Sequence, residues 1–270
     1  MRNKVAAILF TIGLILLLFP IIARLITKSI QSSVVFEYED KITNINGEEL
    51  NNNQNTIKNY NDNLANNNPI VTINQEIDNI NYSSEFDFFN KEEAVGSISI
   101  PKIDIMLPMF DSLDNNNLEK GVVHLKDTSY PNGQQGTHSV IVGHSGITLS
   151  SIFDNLDKLE IGDNFSIDYL GIKTNYKVIA TKVVLPSDTE NLKIEEDKCL
   201  VTLVTCTPKG VNSHRLLVTG EKIESESTNE IIENTKAKNV DYTYLVIIAI
   251  FAVSIVIFGI MSFKTKNKKD

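Results

Sequence analysis

Three side chains in this 270-residue sequence have types and spacing suited to chemistry: Cys206, Arg215 and His144. Cys206 closes the β-branched run "CLVTLVTC", and the Pro-Gly turn "TPKGVNS" returns the chain into "HRLLVTG". In that hairpin Arg215 begins the strand antiparallel to the one that Cys206 ends, so the two can lie side by side at one rim. A fixed cation beside a thiol favours the thiolate, which is the nucleophilic form, and can receive an oxyanion. The chain otherwise writes its positive charge as lysine. Arg2 and Arg24 flank an apolar run, and Arg215 is the one arginine beyond them. Arginine is needed where a planar fork or an unconditional charge matters.

The base in such a site would be a histidine, and there are four. In "THSVIVGHSG" an apolar strand breaks at Gly143-His144-Ser145-Gly146, which presents His144 from a tight turn at a strand end. His214 precedes Arg215 and points to the opposite face of its strand. His124 and His138 read as rim or core histidines. No H-x-x-x-H or paired-cysteine spacing supports a metal site, and the chemistry requires no metal or organic cofactor.

The second cysteine does not pair with the first. Seven residues of strand separate Cys199 from Cys206 by about 23 Å, whereas a disulfide needs Cα atoms within about 7 Å. The odd offset also sends the two side chains to opposite faces. Both thiols are expected free, Cys199 as a small hydrophobe.

The elements that must position these residues are mostly strands. Short β-like runs fall near 95–100, 103–107, 121–125, 138–143, 163–169, 173–185, 199–206 and 214–222. In "NFSIDYL", Phe165, Ile167 and Tyr169 share one face, as a half-buried strand requires. A helix is expected over "SSIFDNLDKLEIGD", with Ile152, Phe153, Leu156 and Leu159 on one stripe, Ser151 and Asp154 as cap and Gly162 as stop. A shorter one is expected over "LDNNNLEKG". The pattern predicts a mainly β fold, a closed barrel or sandwich of about eight strands with a few short helices. Residues 51–68 contain ten asparagines in eighteen and read as a linker.

Both ends of the chain are apolar. "VAAILFTIGLILLLFPIIA", from Val5 to Ala23, and "YTYLVIIAIFAVSIVIFGIMSF", from Tyr242 to Phe263, are each long enough to span a bilayer as a helix. Arg2 and Lys4 precede the first, and Lys264, Lys266, Lys268 and Lys269 follow the second. The positive-inside rule then predicts a two-pass protein with both termini cytoplasmic and the intervening domain outside. No Leu-Pro-x-Thr-Gly pentapeptide precedes the second run. The chain has 25 basic and 34 acidic residues for a net charge of −9, and eight of the basic residues flank the apolar runs. The outer segment is therefore strongly acidic, which excludes a nucleic-acid partner and gives it no attraction to anionic lipid.

At this point the residues carry a resemblance. "TLVTCTP" with "HRLLVTG" after it, and "THSVIVGHSG" upstream, resemble the signature of the sortases, cysteine transpeptidases with His, Cys and Arg around the groove of a β-barrel. The similarity extends over most of 94–222. It implies Cys206 as nucleophile, His144 as acid–base partner and Arg215 as the group that stabilises the oxyanion or positions substrate. It also implies a closed sortase-type barrel over 91–223. An extracytoplasmic linker and lid (27–90) would precede it, and a second linker (224–241) would follow. Flanking these would be membrane helices at 5–26 and 242–263, with cytoplasmic ends at 1–4 and 264–270.

Two membrane runs and "TCTPKGVNSHRLLVTG" resemble the class C, pilus-assembling sortases. The lid of that class usually centres on Asp-Pro-aromatic. Here Asn68-Pro69-Ile70 lacks the acid and the ring, while "EFDFFN" at 85–90 has both but no proline. The turn after the histidine reads Gly-His-Ser-Gly where that class more often has Gly-His-Arg-Gly. The implied partners are pilin or surface proteins bearing a C-terminal sorting signal. The implied acceptor is a pilin lysine amine or a cell-wall precursor. The alternatives are a wall-anchoring sortase of another class, or a non-enzymatic membrane-tethered β-domain serving as scaffold.

Overall fold

The structure, a computed structural model, describes residues 2–67, 89–146 and 152–224. By internal contacts the chain forms two units, Arg24–Thr228 and a second comprising Met1–Ala23 with Asn229–Asp270.

The larger unit holds an eight-stranded closed barrel: β1 Gly96–Ile100, β2 Ile105–Phe110, β3 Val122–His124, β4 Thr137–Val142, β5 Asn164–Tyr169, β6 Ile172–Val184, β7 Cys199–Thr207 and β8 His214–Lys222. The order around the barrel is β1-β2-β3-β4-β7-β8-β6-β5. All eight expected strand runs are present. Two neighbours, β2–β3 and β4–β7, pair in parallel, and the other six pairs are antiparallel. Strand composition follows burial. β5 alternates inside and outside, whereas β4 is buried at every position and β7 along its first seven. A strand covered on both faces needs a continuous apolar run, and "SVIV" and "CLVTLV" supply it.

Two packed layers result. Ile98, Leu107, Met109, Ile141, Phe165, Ile167, Tyr176, Val201, Leu203 and Val218 fill the barrel. On its outer side Val123, Val140, Val142, Val204 and Leu217 form a second layer with Leu118. Leu118 belongs to the short helix α3, Asn115–Lys120, whose first turn is capped by the Asp114 carboxylate accepting from the Asn117 N–H.

Two expectations change. The asparagine-rich stretch is a helix, α2 (Gly47–Asn67), docked on the barrel. Its buried Asn61 clasps Tyr130 through both backbone groups, at 2.8 and 3.0 Å, and Gln54 donates to the Leu170 carbonyl at 2.9 Å. Asparagine amides here satisfy barrel backbone rather than water. Over 152–162 the structure has a single 3-10 turn, Leu156–Lys158, in place of a longer helix. Ile152, Phe153, Leu156 and Leu159 are nonetheless all buried. Ser151, the expected cap, lies outside the described residues, and Asp154 instead accepts from the Gly146 N–H at 2.7 Å.

The membrane expectation is also corrected. Among the described residues, one helix is long and apolar enough to cross a bilayer: α1, Arg2–Asn44, which contains the first expected span with Pro20 inside it. The apolar run Tyr242–Phe263 lies outside the described residues. A barrel flanked by two transmembrane helices, and a two-pass topology with both termini cytoplasmic, are therefore replaced by membrane association through one apolar helix. Length and hydropathy say that a segment can span, and not that it forms the helix that does so. Nor does α1 stop at residue 26; it continues as a helix onto the barrel.

Candidate active site

β4 and β7 deliver their ends to the same place because they pair in parallel and in register, Val142 opposite Val204. The chain leaving β4 turns at once through His144. Three hydrogen bonds join that turn to β7. The Gly143 N–H donates to the Val204 carbonyl at 3.1 Å, Thr205 Oγ1 to the Gly143 carbonyl at 2.7 Å, and Ser145 Oγ to the Cys206 carbonyl at 2.6 Å. Both hydroxyl-bearing residues are buried. Behind the turn, the Phe153 N–H donates to the His144 carbonyl at 2.9 Å. Phe153 and Ile152 stand so close to Gly143 that a Cβ there would meet them at 2.7 and 2.9 Å. Glycine at 143 is thus a packing requirement. At 146 the requirement is conformational, with φ at +76°.

The β7–β8 hairpin brings the cation. Cys206 and Arg215 are directly opposed partners in the antiparallel ladder. Arg215 is 2% exposed, and its Nη1 donates to the carbonyls of Asn212 at 3.0 Å and His214 at 3.1 Å. One carbonyl belongs to the β7–β8 turn and the other to the first residue of β8, so the guanidinium is held by its own hairpin. The Thr207–Pro208 peptide in this hairpin is cis.

One pocket is lined by His144, Cys206 and Arg215 together with Leu118, Val142, Gly143, Val204 and Thr205. The three residues chosen from sequence therefore share a cavity whose other walls are largely apolar. His144 and Cys206 are half-buried, accessible to a reactant yet partly withdrawn from water. Thiol, imidazole and guanidinium in one cleft can attack a carbonyl, shuttle a proton and hold developing negative charge.

The remaining candidates lie elsewhere. His214 pairs across the ladder with Thr207, and its Nδ1 is 2.9 Å from Ser213 Oγ. His138 is buried with Nδ1 donating to the Lys193 carbonyl and Nε2 facing Thr202 Oγ1, both at 2.8 Å, and burial lowers its pKa. His124 is buried between Asp111, 3.1 Å from Nδ1, and the Ser129 carbonyl, 3.0 Å from Nε2. Cys199 sits at the far end of β7, free and buried, with its thiol pushed up by desolvation. Among the described residues no three His, Cys, Asp or Glu side chains converge as a metal site. Sequence reasoning missed Ser145, Thr205 and Leu118. Thr205, a buried hydroxyl within an apolar strand next to the nucleophile candidate, was the available signal.

Comparison with known proteins matches the sortase-domain family model over residues 98–223. Among solved structures, sortase C1 of GBS pilus island 1 is 34% identical, with a TM-score of 0.64 over 72% of this chain and 92% of its own. The chain belongs to the sortase family. Sortase C of Clostridium perfringens, solved with the C-terminal cell wall sorting motif, is 36% identical, with a TM-score of 0.61 over 72% of this chain and 99% of its own. Sortase D of Bacillus subtilis is 32% identical over 136 residues, 48% of this chain. The chain spans just under two thirds of the length of that relative, 65%. The sortase match contains Cys206, His144 and Arg215.

Proposed function

We propose that this protein is a membrane-tethered cysteine transpeptidase that assembles pili. The observation that carries this reading is the convergence of Cys206, His144 and Arg215 on one pocket through the parallel β4–β7 pair and the β7–β8 hairpin. The structural likeness to sortase C1 of a pilus island and to a sortase C solved with the C-terminal cell wall sorting motif supports the class.

The Cys206 thiolate attacks the Thr carbonyl of a Leu-Pro-x-Thr-Gly-like signal. The tetrahedral oxyanion forms beside the Arg215 guanidinium, which receives its charge. As the C–N bond breaks, His144 gives a proton to the departing Gly amine, leaving a Cys206 thioester. A second amine, deprotonated by His144, attacks the thioester, forms an amide and releases the thiolate. In pilus assembly that amine is a pilin lysine; a cell-wall precursor amine in its place gives the wall-anchoring reaction. The lid implied by the class falls largely on residues 68–88, outside the described residues.

The experiment is intact mass of the protein after incubation with a Leu-Pro-x-Thr-Gly peptide. A mass gain equal to the acyl fragment, lost with hydroxylamine and absent in Cys206→Ala, establishes the thioester. No adduct across several signal variants overturns the reading. Supplying a lysine-bearing pilin peptide or an oligoglycine then tells pilus from wall chemistry by which one resolves the adduct.

A further inference from the structure

His144 can serve Cys206 only if the turn that carries it, residues 143–146, keeps one position. β7 holds two of those residues, Gly143 through its N–H and carbonyl and Ser145 through its hydroxyl. Gly146 is held otherwise. Its N–H donates to Asp154 Oδ1 at 2.7 Å. Its Cα faces the β7–β8 hairpin, where a Cβ would meet Lys209 Cβ at 2.8 Å and the Gly210 nitrogen at 3.2 Å. The turn therefore lies flush against the hairpin, and a small displacement of Gly146 is felt there.

Asp154 is itself anchored by the core. Ile152 and Phe153 before it are buried, and so is Leu156 after it. The Leu156 N–H donates to the Phe153 carbonyl at 3.1 Å, which starts the 3-10 turn Leu156–Lys158. The Phe153 N–H donates to the His144 carbonyl at 2.9 Å. Residues 153 and 154 thus grip both peptide groups that flank Ser145, one by its carbonyl and the other by its N–H. A peptide group is planar, so fixing these two also fixes the backbone from which the His144 imidazole projects.

We propose that Asp154 is a positioning residue for proton transfer by His144. Its carboxylate oxygen, by accepting the Gly146 N–H, keeps the imidazole where it can hand its proton to the departing amine. The proposal rests on the transpeptidase reading of Cys206 and His144. Asp154 acts through the backbone of the turn and takes no part in bond making. What it supplies is an acceptor at a fixed reach, so a neutral side chain with an oxygen at the same place serves equally. A reacting group displaced by about 1 Å can cost about 100-fold in rate.

The step that needs the imidazole can be told by its proton. With an amide signal, the bond from the Cys206 sulfur to the Thr carbonyl carbon forms, the Thr–Gly C–N bond breaks, and the imidazolium proton goes to the Gly amine. In a signal whose Thr–Gly amide is replaced by a thioester, the same S–C bond forms and a C–S bond breaks. The leaving group then departs as a thiolate and takes no proton. Displacing His144 slows the first reaction and spares the second. Loss of folded protein lowers both alike.

The test is the rate of Cys206 acylation in the full-length protein, timed by intact mass on a Leu-Pro-x-Thr-Gly peptide and on its thioester counterpart. Asp154→Ala should slow the amide reaction roughly 100-fold and the thioester reaction no more than about twofold. Asp154→Ser keeps a small polar side chain but draws its oxygen short of Gly146, and should show the same selective loss. Asp154→Asn retains an acceptor oxygen at the same reach and should stay within about threefold of the unsubstituted protein on both substrates. Equal slowing of the two reactions by Ala and Ser, no slowing of either, or an Asn variant as poor as Ala overturns the inference. If the unsubstituted protein leaves the amide uncut, the transpeptidase reading fails and takes this inference with it, an outcome seen before any variant is made.

Discussion

Cys206 at the end of β7 and Arg215 at the start of β8 are directly opposed across the hairpin, and the arginine is the buried partner of the two. A buried guanidinium held by two carbonyls of its own hairpin is a preorganised charge. It needs no reorganisation when negative charge develops beside the thiol. Arg215→Lys keeps the charge and loses the fork. We expect thioester formation to slow roughly 100-fold while the protein stays folded. Single-turnover rates with a sorting-signal peptide, read beside a thermal melt, check this.

The hydroxyls of Thr205 and Ser145 fasten the His144 turn to the strand of Cys206. Thr205→Val leaves the Gly143 carbonyl short of a donor and should cost about 1–3 kcal/mol of stability. Ser145→Ala should cost about 1 kcal/mol. Denaturant midpoints measure both losses. If either melts like the unsubstituted protein, that hydrogen bond is not holding the turn.

Gly143→Ala is expected to displace the His144 turn, because its new methyl group meets Phe153 and Ile152 well inside contact distance. Overpacking of this kind costs about 1–3 kcal/mol. Phe153→Leu in the same chain should recover part of the loss in both melting temperature and rate. Failure of that rescue would place the damage elsewhere.

His138 gives the fold a pH dependence of known sign. Its imidazole is buried and neutral, with its pKa lowered by desolvation below the ordinary histidine range. Between the lowered value and the ordinary one the unfolded chain binds the extra proton, so stability falls as pH drops through that window and is complete above it. His138→Gln should flatten the slope of melting temperature against pH across the same interval. An unchanged slope would assign it to another group.

The two thiols should separate cleanly under alkylation. Cys206 lines an open pocket, while Cys199 is buried and its thiol is raised by desolvation, with Thr137 Oγ1 3.6 Å from its sulfur. In the native protein iodoacetamide is expected to modify Cys206 alone, and Cys199 only after denaturation. Peptide mapping after a timed exposure reads the result, and modification of Cys199 first would contradict the burial.

The strands were legible because each prints its burial in its own residues. β5 alternates, and β4 and β7 are apolar throughout. The Cys206–Arg215 pair was legible for a related reason, since a hairpin's register follows from its turn. What could not be read were contacts between residues far apart in sequence. Asn61 has nothing local to suggest a partner at Tyr130, so a docked helix looked like a linker. The stripe of Ile152, Phe153, Leu156 and Leu159 was read correctly as buried and wrongly as a longer helix, because the segment wedges behind the His144 turn. The second apolar run met the criterion of length, and that criterion does not decide whether a helix forms.

The parallel pairing of β4 with β7 carries a consequence for the order in which the protein is made. A parallel pair needs a long crossover, and here β5 and β6 lie within it. A chain synthesised from its N-terminus therefore carries His144 well before Cys206, and Arg215 arrives later still. Until β8 closes against β7, the nascent thiol lacks the arginine that stands opposite it in the ladder. The pocket shared by the three side chains is complete only once β8 is in place.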